Sequence, residues 1–345
     1  SKTVQTAHQL TDYIFHHSFV TIIPDTCYRD TPFIGITNIN IGTFGRIERT
    51  AHTDIFNIRA FLQSLPGNSG SITQKNGIGI TDEVIEWANK ECYNVVLSLD
   101  GRKEVNDRFR KDIAGRGSYD RIVPKFQQLV KARGGKGYYM RGTFTHYNTD
   151  FTNDLFHMAD DLGFDELSME PVVSKAGSPE ALTEADLPIL FDQYELLAKD
   201  MLRREKAGHP ITFYHYMIDL TGGPCIYKRI SGCGSGTEYM AVTPWGDLYP
   251  CHQFVGNEKF LMGNVDTGVV RDDIRDEFKC CNVYAKDKCK KCFAKFYCSG
   301  GCAANSYNFH GNINDAYDVG CELQRKRIEC AIMLKAAEAA EASEE

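Results

Sequence analysis

Between residues 76 and 173 the apolar positions switch repeatedly between two periods, one of two residues and one of three to four. In TDEVIEWANKE, Thr81 stands where a helix cap belongs, and Asp82 and Glu83 fall in the first turn, which favours negative charge. The run NVVLSLD (94–100) then reads as a strand closed by a turn at Gly101. SYDRIVPKFQQLVKAR (118–133) sets Ile122, Phe126, Leu129 and Val130 on one helical stripe. A strand YYMRGTFT (138–145), a helix over 150–161 stopped near Gly163, and a strand ELSMEPVV (166–173) follow. Strands alternating with amphipathic helices predict an α/β fold with a parallel sheet and helices outside it. A barrel or partial (β/α) barrel fits, with ligand groups at the C-terminal ends of the strands.

The flanks carry weaker patterns. Residues 174–224 read as a connector with one long helix over 186–206, its apolar face formed by Leu190, Tyr194, Leu197 and Met201. GGP at 222–224 punctuates it, and from there to Cys321 the chain is rich in Gly, Cys and aromatics and short of helical periodicity. The tail from Leu323 is helix-forming and ends in AEAAEASEE. Upstream, FVTIIP (19–24) and FIGITNINIG (33–42) are possible strands and HTDIFNIRAFLQSL (52–65) a possible helix. The predicted organisation is therefore a divergent N-terminal segment (residues 1–75), a partial barrel and connector (76–220), a cysteine-rich domain (221–330) and an acidic helical tail (331–345).

Composition narrows the function classes. With 345 residues, 42% hydrophobic and 25% charged, the chain can bury a substantial core. A net charge of −7 argues against a broad nucleic-acid surface. No stretch reaches the apolar length of a membrane span, and SKTVQTAHQL lacks a signal-peptide layout, so a cytoplasmic setting is expected. The thirteen cysteines are unevenly placed: Cys27 and Cys92 alone lie in the first 224 residues, and eleven fall between Cys225 and Cys330. In a reducing compartment such crowding points to metal rather than disulfides.

The core of the array is Cys289-x2-Cys292-x5-Cys298-x3-Cys302, followed by Cys321, with Cys233 and Cys251 upstream. Clustered thiolates select iron–sulfur clusters or zinc. A bare pair would favour structural zinc. The full array, with only His252 and His310 nearby and with Phe293, Phe296, Tyr297 and Tyr307 available as shielding, favours two iron–sulfur clusters. Gly300 and Gly301, lacking a Cβ, would let backbone N–H groups approach cluster sulfur.

This span (225–330) resembles the SPASM domain of radical S-adenosylmethionine (SAM) enzymes. The match covers Cys233, Gly246 and Cys251 as well as the later array. CGSGTEYMAVTPWGDLYPCHQFVGN and CKKCFAKFYCSGGCAANSYNF are most similar to maturases of six-cysteine (SCIFF, or ranthipeptide) peptides, which form thioether crosslinks. The resemblance implies 4Fe–4S clusters, a distal one held by Cys289, Cys292, Cys298 and Cys321 and a proximal one held by Cys233, Cys251 and Cys302. Cys225 is either the fourth proximal ligand or a bystander that leaves one iron open to a substrate thiolate. Cys280, Cys281 and Cys330 lie outside the pattern. ITQKNGIGITDEV, NVVLSLDGRKEVND and GSYDRIVPKFQ resemble barrel segments of the same family. That likeness implies contact with SAM through Asn76, Ser98, Asp100, Arg141 and Glu170, with Arg141 on its carboxylate. It further implies a Cys-rich precursor peptide as partner and a reductant such as ferredoxin or flavodoxin. A sulfatase-maturing type, or a non-catalytic iron–sulfur scaffold, is the alternative.

One motif of that family is missing. Its SAM-binding cluster uses Cys-x3-Cys-x2-Cys, whereas here Cys27 is followed at that spacing by Thr31 and Ile34, neither an iron ligand. Either the chain kept its auxiliary clusters and lost SAM cleavage, or this N-terminal sequence departs from that of the gene. The close match further along favours the second.

Overall fold

A computed structural model describes residues 77–112, 114–220, 226–243 and 245–341, together with the backbone of three upstream strands. Cys27, Asn76, Cys225 and the expected helix over 52–65 lie outside the described residues. In chain order the strands are β1 (Phe19–Ile22), β2 (Asn38–Asn40), β3 (Ser71–Lys75), β4 (Cys92–Ser98), β5 (Tyr138–Phe144), β6 (Glu166–Pro171), β7 (Thr212–Phe213), β8 (Met240–Val242), β9 (Asp247–Tyr249), β10 (Gly263–Asn264) and β11 (Gly268–Val269). The chain divides into two compact units: Ser1–Ser98, Lys111–Tyr138 and Ser235–Arg275 form the first, and Leu99–Arg110, Tyr139–Gly234 and Asp276–Glu345 the second.

In the first unit β2, β3 and β4 run parallel, with Thr73 opposite Val95. Val95, Val96 and Leu97 are all fully buried, as expected of a strand covered on both faces. The helix Asp82–Glu91 starts at Thr81, whose hydroxyl accepts from Val84 N at 3.4 Å, and buries Val84, Ile85 and Ala88. The helix Tyr119–Ala132 buries the predicted stripe of Ile122, Phe126, Leu129 and Val130. Burying one such side chain is worth about 1.5–3 kcal/mol. At Gly77 the backbone has φ +88°, and a Cβ would meet Ile122 Cβ at 2.6 Å, so both conformation and space require glycine. Arg133 ties helix to strand by donating to the carbonyls of Ala88 (3.0 Å), Cys92 (3.1 Å) and Tyr93 (3.0 Å). The segment 235–275 joins this unit through antiparallel strands: β8 pairs with β1, and β9, β10 and β11 follow.

The second unit is built on β5, β6 and β7, which run parallel. Along β5 buried and partly exposed residues alternate without exception. Tyr138, Met140 and Phe144 face the helices, where Phe144 stacks on Phe151 at 4.7 Å between centroids. The helix Leu187–Lys206 buries Leu190, Tyr194, Leu197 and Ala198, whereas Met201 is only partly buried. Because β7 pairs in parallel with β6, the supposed connector supplies a further helix–strand repeat. A two-residue strand is too short for alternation to reveal it. The final helix, Asp318–Glu341, begins before Leu323 and packs along Leu187–Lys206. Among the described residues no helix is long and apolar enough to cross a membrane.

Candidate active site and thiol centre

The turn after β4 is fixed by charge and by a missing side chain. The carboxylate of Asp100, 4% exposed, is gripped by both arms of Arg110, at 2.7 Å from Nε and 2.8 Å from Nη2. It also accepts from Thr143 N at 3.0 Å. Gly101 follows with φ +107°, where a Cβ would lie 2.2 Å from Asp154 Cβ. Asp154, with no exposed side-chain surface, accepts from Arg102 Nε at 2.7 Å and from Asn148 Nδ2 at 3.1 Å. The expected SAM contact Asp100 is thus also a strut of the turn that carries it. Ser98 is buried at the end of β4, in the other unit.

The partly exposed face of β5–β7 is polar. Arg141 stands opposite Ser168 and Thr143 opposite Glu170 in the β5–β6 register. Arg141 Nη2 donates to Glu170 Oε2 at 2.6 Å, with 33% and 39% of the two side chains exposed, so each of these expected SAM contacts has the other as a partner. Burial pushes the Glu170 carboxyl up, but Arg141, His215 and Arg327 outweigh it and hold the group below its ordinary range. His215, which the sequence did not single out, lies with Nε2 3.1 Å from Ser168 Oγ. Desolvation, then the Arg327 charge, lowers its pKa to about 3, so the imidazole is neutral at neutral pH. Arg327 comes from the final helix. Its Nη2 donates to the Gln324 side chain, while Nε and Nη1 are buried without a hydrogen-bond partner in the structure. Tyr139 and Tyr214 rings flank this face 4.7 Å apart.

The thiols of Cys289, Cys298 and Cys321 are pushed up by burial and then by neighbouring thiols: Cys292 acts on Cys289, Cys289 on Cys298, and Cys298 and Cys289 on Cys321. Burial first, and then Cys298 and Cys289, push the Cys321 thiol up to about 11. Burial first pushes the Cys302 thiol up, and the nearby Cys233 adds to it. Cys251 is buried and belongs to the first unit. Among the described residues no three His, Cys, Asp or Glu side chains converge on a single-ion site.

The local backbone suits sulfur ligands. Ser299, Gly300 and Gly301 are all left-handed, at φ 57°, 88° and 75°. The step from the helical Cys298 to the left-handed Ser299 is the alternation that turns successive N–H groups to one side as an anion-binding nest. The N–H groups of Gly301 and Gly300 lie close enough to the Cys298 sulfur to work against the burial that pushes its thiol up. Cys302 stands at the N-cap position of the helix Ala303–His310, where the N–H groups of Asn305 and Ala304 partly offset the burial that pushes its thiol up. Arg325 adds a guanidinium hydrogen-bonded to Cys292. Donors converging on thiolates are what cluster ligands require of their surroundings, so the residues present fit iron–sulfur ligation. Outside the array, Cys280 is exposed, Cys281 donates to the Ile313 carbonyl at 3.2 Å, and Cys330 is buried.

The chain has an α/β fold with the parallel strands and covering helices of a partial (β/α) barrel, followed by a small cysteine-rich segment. No family model matches the chain. It is 22% identical over 263 residues to a serine-type anaerobic sulfatase-maturating enzyme of Bacteroides thetaiotaomicron, covering 68% of this chain and 61% of the relative. A cysteine-type anaerobic sulfatase-maturating enzyme of Clostridium novyi is 24% identical over 265 residues, 72% of this chain and 67% of the relative. The chain thus spans about two thirds of the length of these curated relatives. Among solved structures, native anSMEcpe with bound AdoMet and Kp18Cys peptide superposes with a TM-score of 0.65 at 17% identity, over 89% of this chain and 86% of that one. Streptococcus suis SuiB bound to precursor peptide SuiA gives 0.56 at 19% identity, over 83% and 65%.

Proposed function

We propose that this chain is a radical SAM peptide maturase that forms thioether crosslinks in a Cys-rich precursor peptide. The observation that carries the reading is the gathering of Cys289, Cys292, Cys298 and Cys321 around a backbone nest aimed at Cys298. These four would hold the distal 4Fe–4S cluster, and Cys233, Cys251 and Cys302, with or without Cys225, the proximal one. SAM, bound to a further cluster whose ligands the gene would have to encode upstream, supplies the radical that such chemistry uses. Within the barrel Arg141 would hold a carboxylate, its guanidinium aligned by Glu170, while neutral His215 orients Ser168. Ferredoxin or flavodoxin would serve as reductant. AdoMet in anSMEcpe and the bound peptides in anSMEcpe and SuiB support a cofactor and a substrate of these kinds.

The names of the curated relatives favour a second reading, a sulfatase-derived peptide as substrate. Both readings meet in one assay with reductant, SAM and a Cys-rich peptide, followed by chromatography and mass spectrometry. Protein of this literal sequence is expected to yield no 5′-deoxyadenosine, since Cys27 with Thr31 and Ile34 offers one thiolate where three are needed. The product of a gene that encodes the triad is expected to yield it and to remove two hydrogens and one alkylatable thiol from the peptide. Abundant 5′-deoxyadenosine with an unchanged Cys-rich peptide would defeat the thioether reading, and modification of a sulfatase peptide instead would establish the second.

A further inference from the structure

The segment KDKCKK (286–291) holds four lysines that look alike in sequence and are not alike in the fold. Lys288 is 61% exposed and pairs with Asp318, and Lys290 is 51% exposed and pairs with Asp287. Lys286 is 3% exposed, and among the described residues no carboxylate pairs with it. Its Nζ donates to the Gly300 carbonyl at 3.0 Å, and its charge acts on the thiols of Cys281, Cys289 and Cys302. A buried ammonium is costly unless negative charge compensates it, and a neutral carbonyl does not. The groups shown to feel its charge are thiols: Cys281, which lies outside the ligand array, and Cys289 and Cys302, one from each predicted ligand set.

We propose that Lys286 is the shared counter-charge of the two auxiliary iron–sulfur clusters and raises their reduction potentials from a fixed, dry position between Cys289 and Cys302. The inference rests on the cluster reading given above. A second contact gives the charge a route to the distal cluster. The carbonyl that Lys286 engages belongs to the Gly300–Gly301 peptide, whose N–H bonds to the Cys298 carbonyl at 3.4 Å and lies close enough to the Cys298 sulfur to hold its thiol pKa down against burial. An ammonium on the oxygen polarises the peptide and strengthens its N–H as a donor. Each reduction adds negative charge to a cluster, so a fixed positive charge nearby favours the reduced form. Lys286 sits at the start of the turn that presents Cys289, whose N–H bonds to the Lys286 carbonyl at 3.0 Å.

The test is an anaerobic redox titration followed by electron paramagnetic resonance, on the full chain with reconstituted clusters. Lys286→Met is expected to make reduction of the distal cluster, and of the proximal one, at least tenfold less favourable, a fall of about 59 mV for a one-electron couple. Lys286→Arg should stay near the parent, and Lys290→Met, which removes an exposed lysine paired with Asp287, should not move either potential. Unchanged potentials in an iron-replete Lys286→Met protein would overturn the inference. Should that variant fail to bind iron, Lys286→Gln, which can still donate to Gly300, carries the same comparison. Loss of iron from both neutral variants with retention in Lys286→Arg would support a counter-charge, and loss from Lys286→Arg as well would overturn it in favour of a packing role. Parent protein that forms no cluster at all would instead refute the reading on which the inference rests.

Discussion

Replacing Asp100 by alanine separates a strut from a ligand contact. Its carboxylate takes two charge-assisted bonds from Arg110, at 2.7 and 2.8 Å, and a third from Thr143 N at 3.0 Å. The Asp100 side chain is 5% exposed and that of Arg110 29%. Removing one partner of a buried ion pair costs about 3–5 kcal/mol, because the other charge is left without compensation. Arg110 can still reach water, so the loss should fall at the low end, about 3 kcal/mol. In a chain of this size that corresponds to a fall in Tm of about 6 °C. Asp100→Asn keeps an acceptor for Thr143 and should lose roughly half as much. Thermal unfolding of parent and variants, prepared with the same iron content and without SAM, measures the difference. A shift equivalent to less than about 1 kcal/mol, or a loss visible only with SAM present, would refute the strut and leave Asp100 as a ligand contact alone.

Two further outcomes follow from the same geometry. His215 has a folded pKa of about 3, below the unfolded value, so the unfolded chain binds the extra proton first as the pH falls. Its contribution is therefore complete above pH ~6.5 and is lost progressively down to about 3, and His215→Phe should flatten the pH dependence of stability over that window by up to about 5 kcal/mol. An unaltered acid limb in the variant would contradict the assignment. Cys292→Ala should lose about four irons and destabilise the cysteine-rich domain, while Cys280→Ala should leave iron content unchanged. Equal losses from the two would show that the ligand set is wrong.

Much of the barrel was legible because its elements are long enough to show a period. Thr81 caps the helix it was assigned to, the stripe at Ile122, Phe126, Leu129 and Val130 is buried, and β5 alternates as its sequence does. What escaped was short or relational. Strands β7 to β11, of two or three residues each, carry no periodicity. The pairing of Arg141 with Glu170 follows from the β5–β6 register, which no single segment encodes. Arg110, His215 and Arg327 reach their partners across intervening elements, and nothing in their local sequence distinguishes them from solvated residues. The double glycine after Cys298 was legible for a physical reason, since glycine adopts the positive φ that Gly300 and Gly301 have without strain.

The measurement that bears most directly on the account is the iron and acid-labile sulfide content of the anaerobically reconstituted chain, taken with its visible spectrum. Two auxiliary cubanes predict about eight irons per chain and broad absorption near roughly 400 nm from sulfide-to-iron charge transfer. Stoichiometric zinc, with no such absorption, would contradict it.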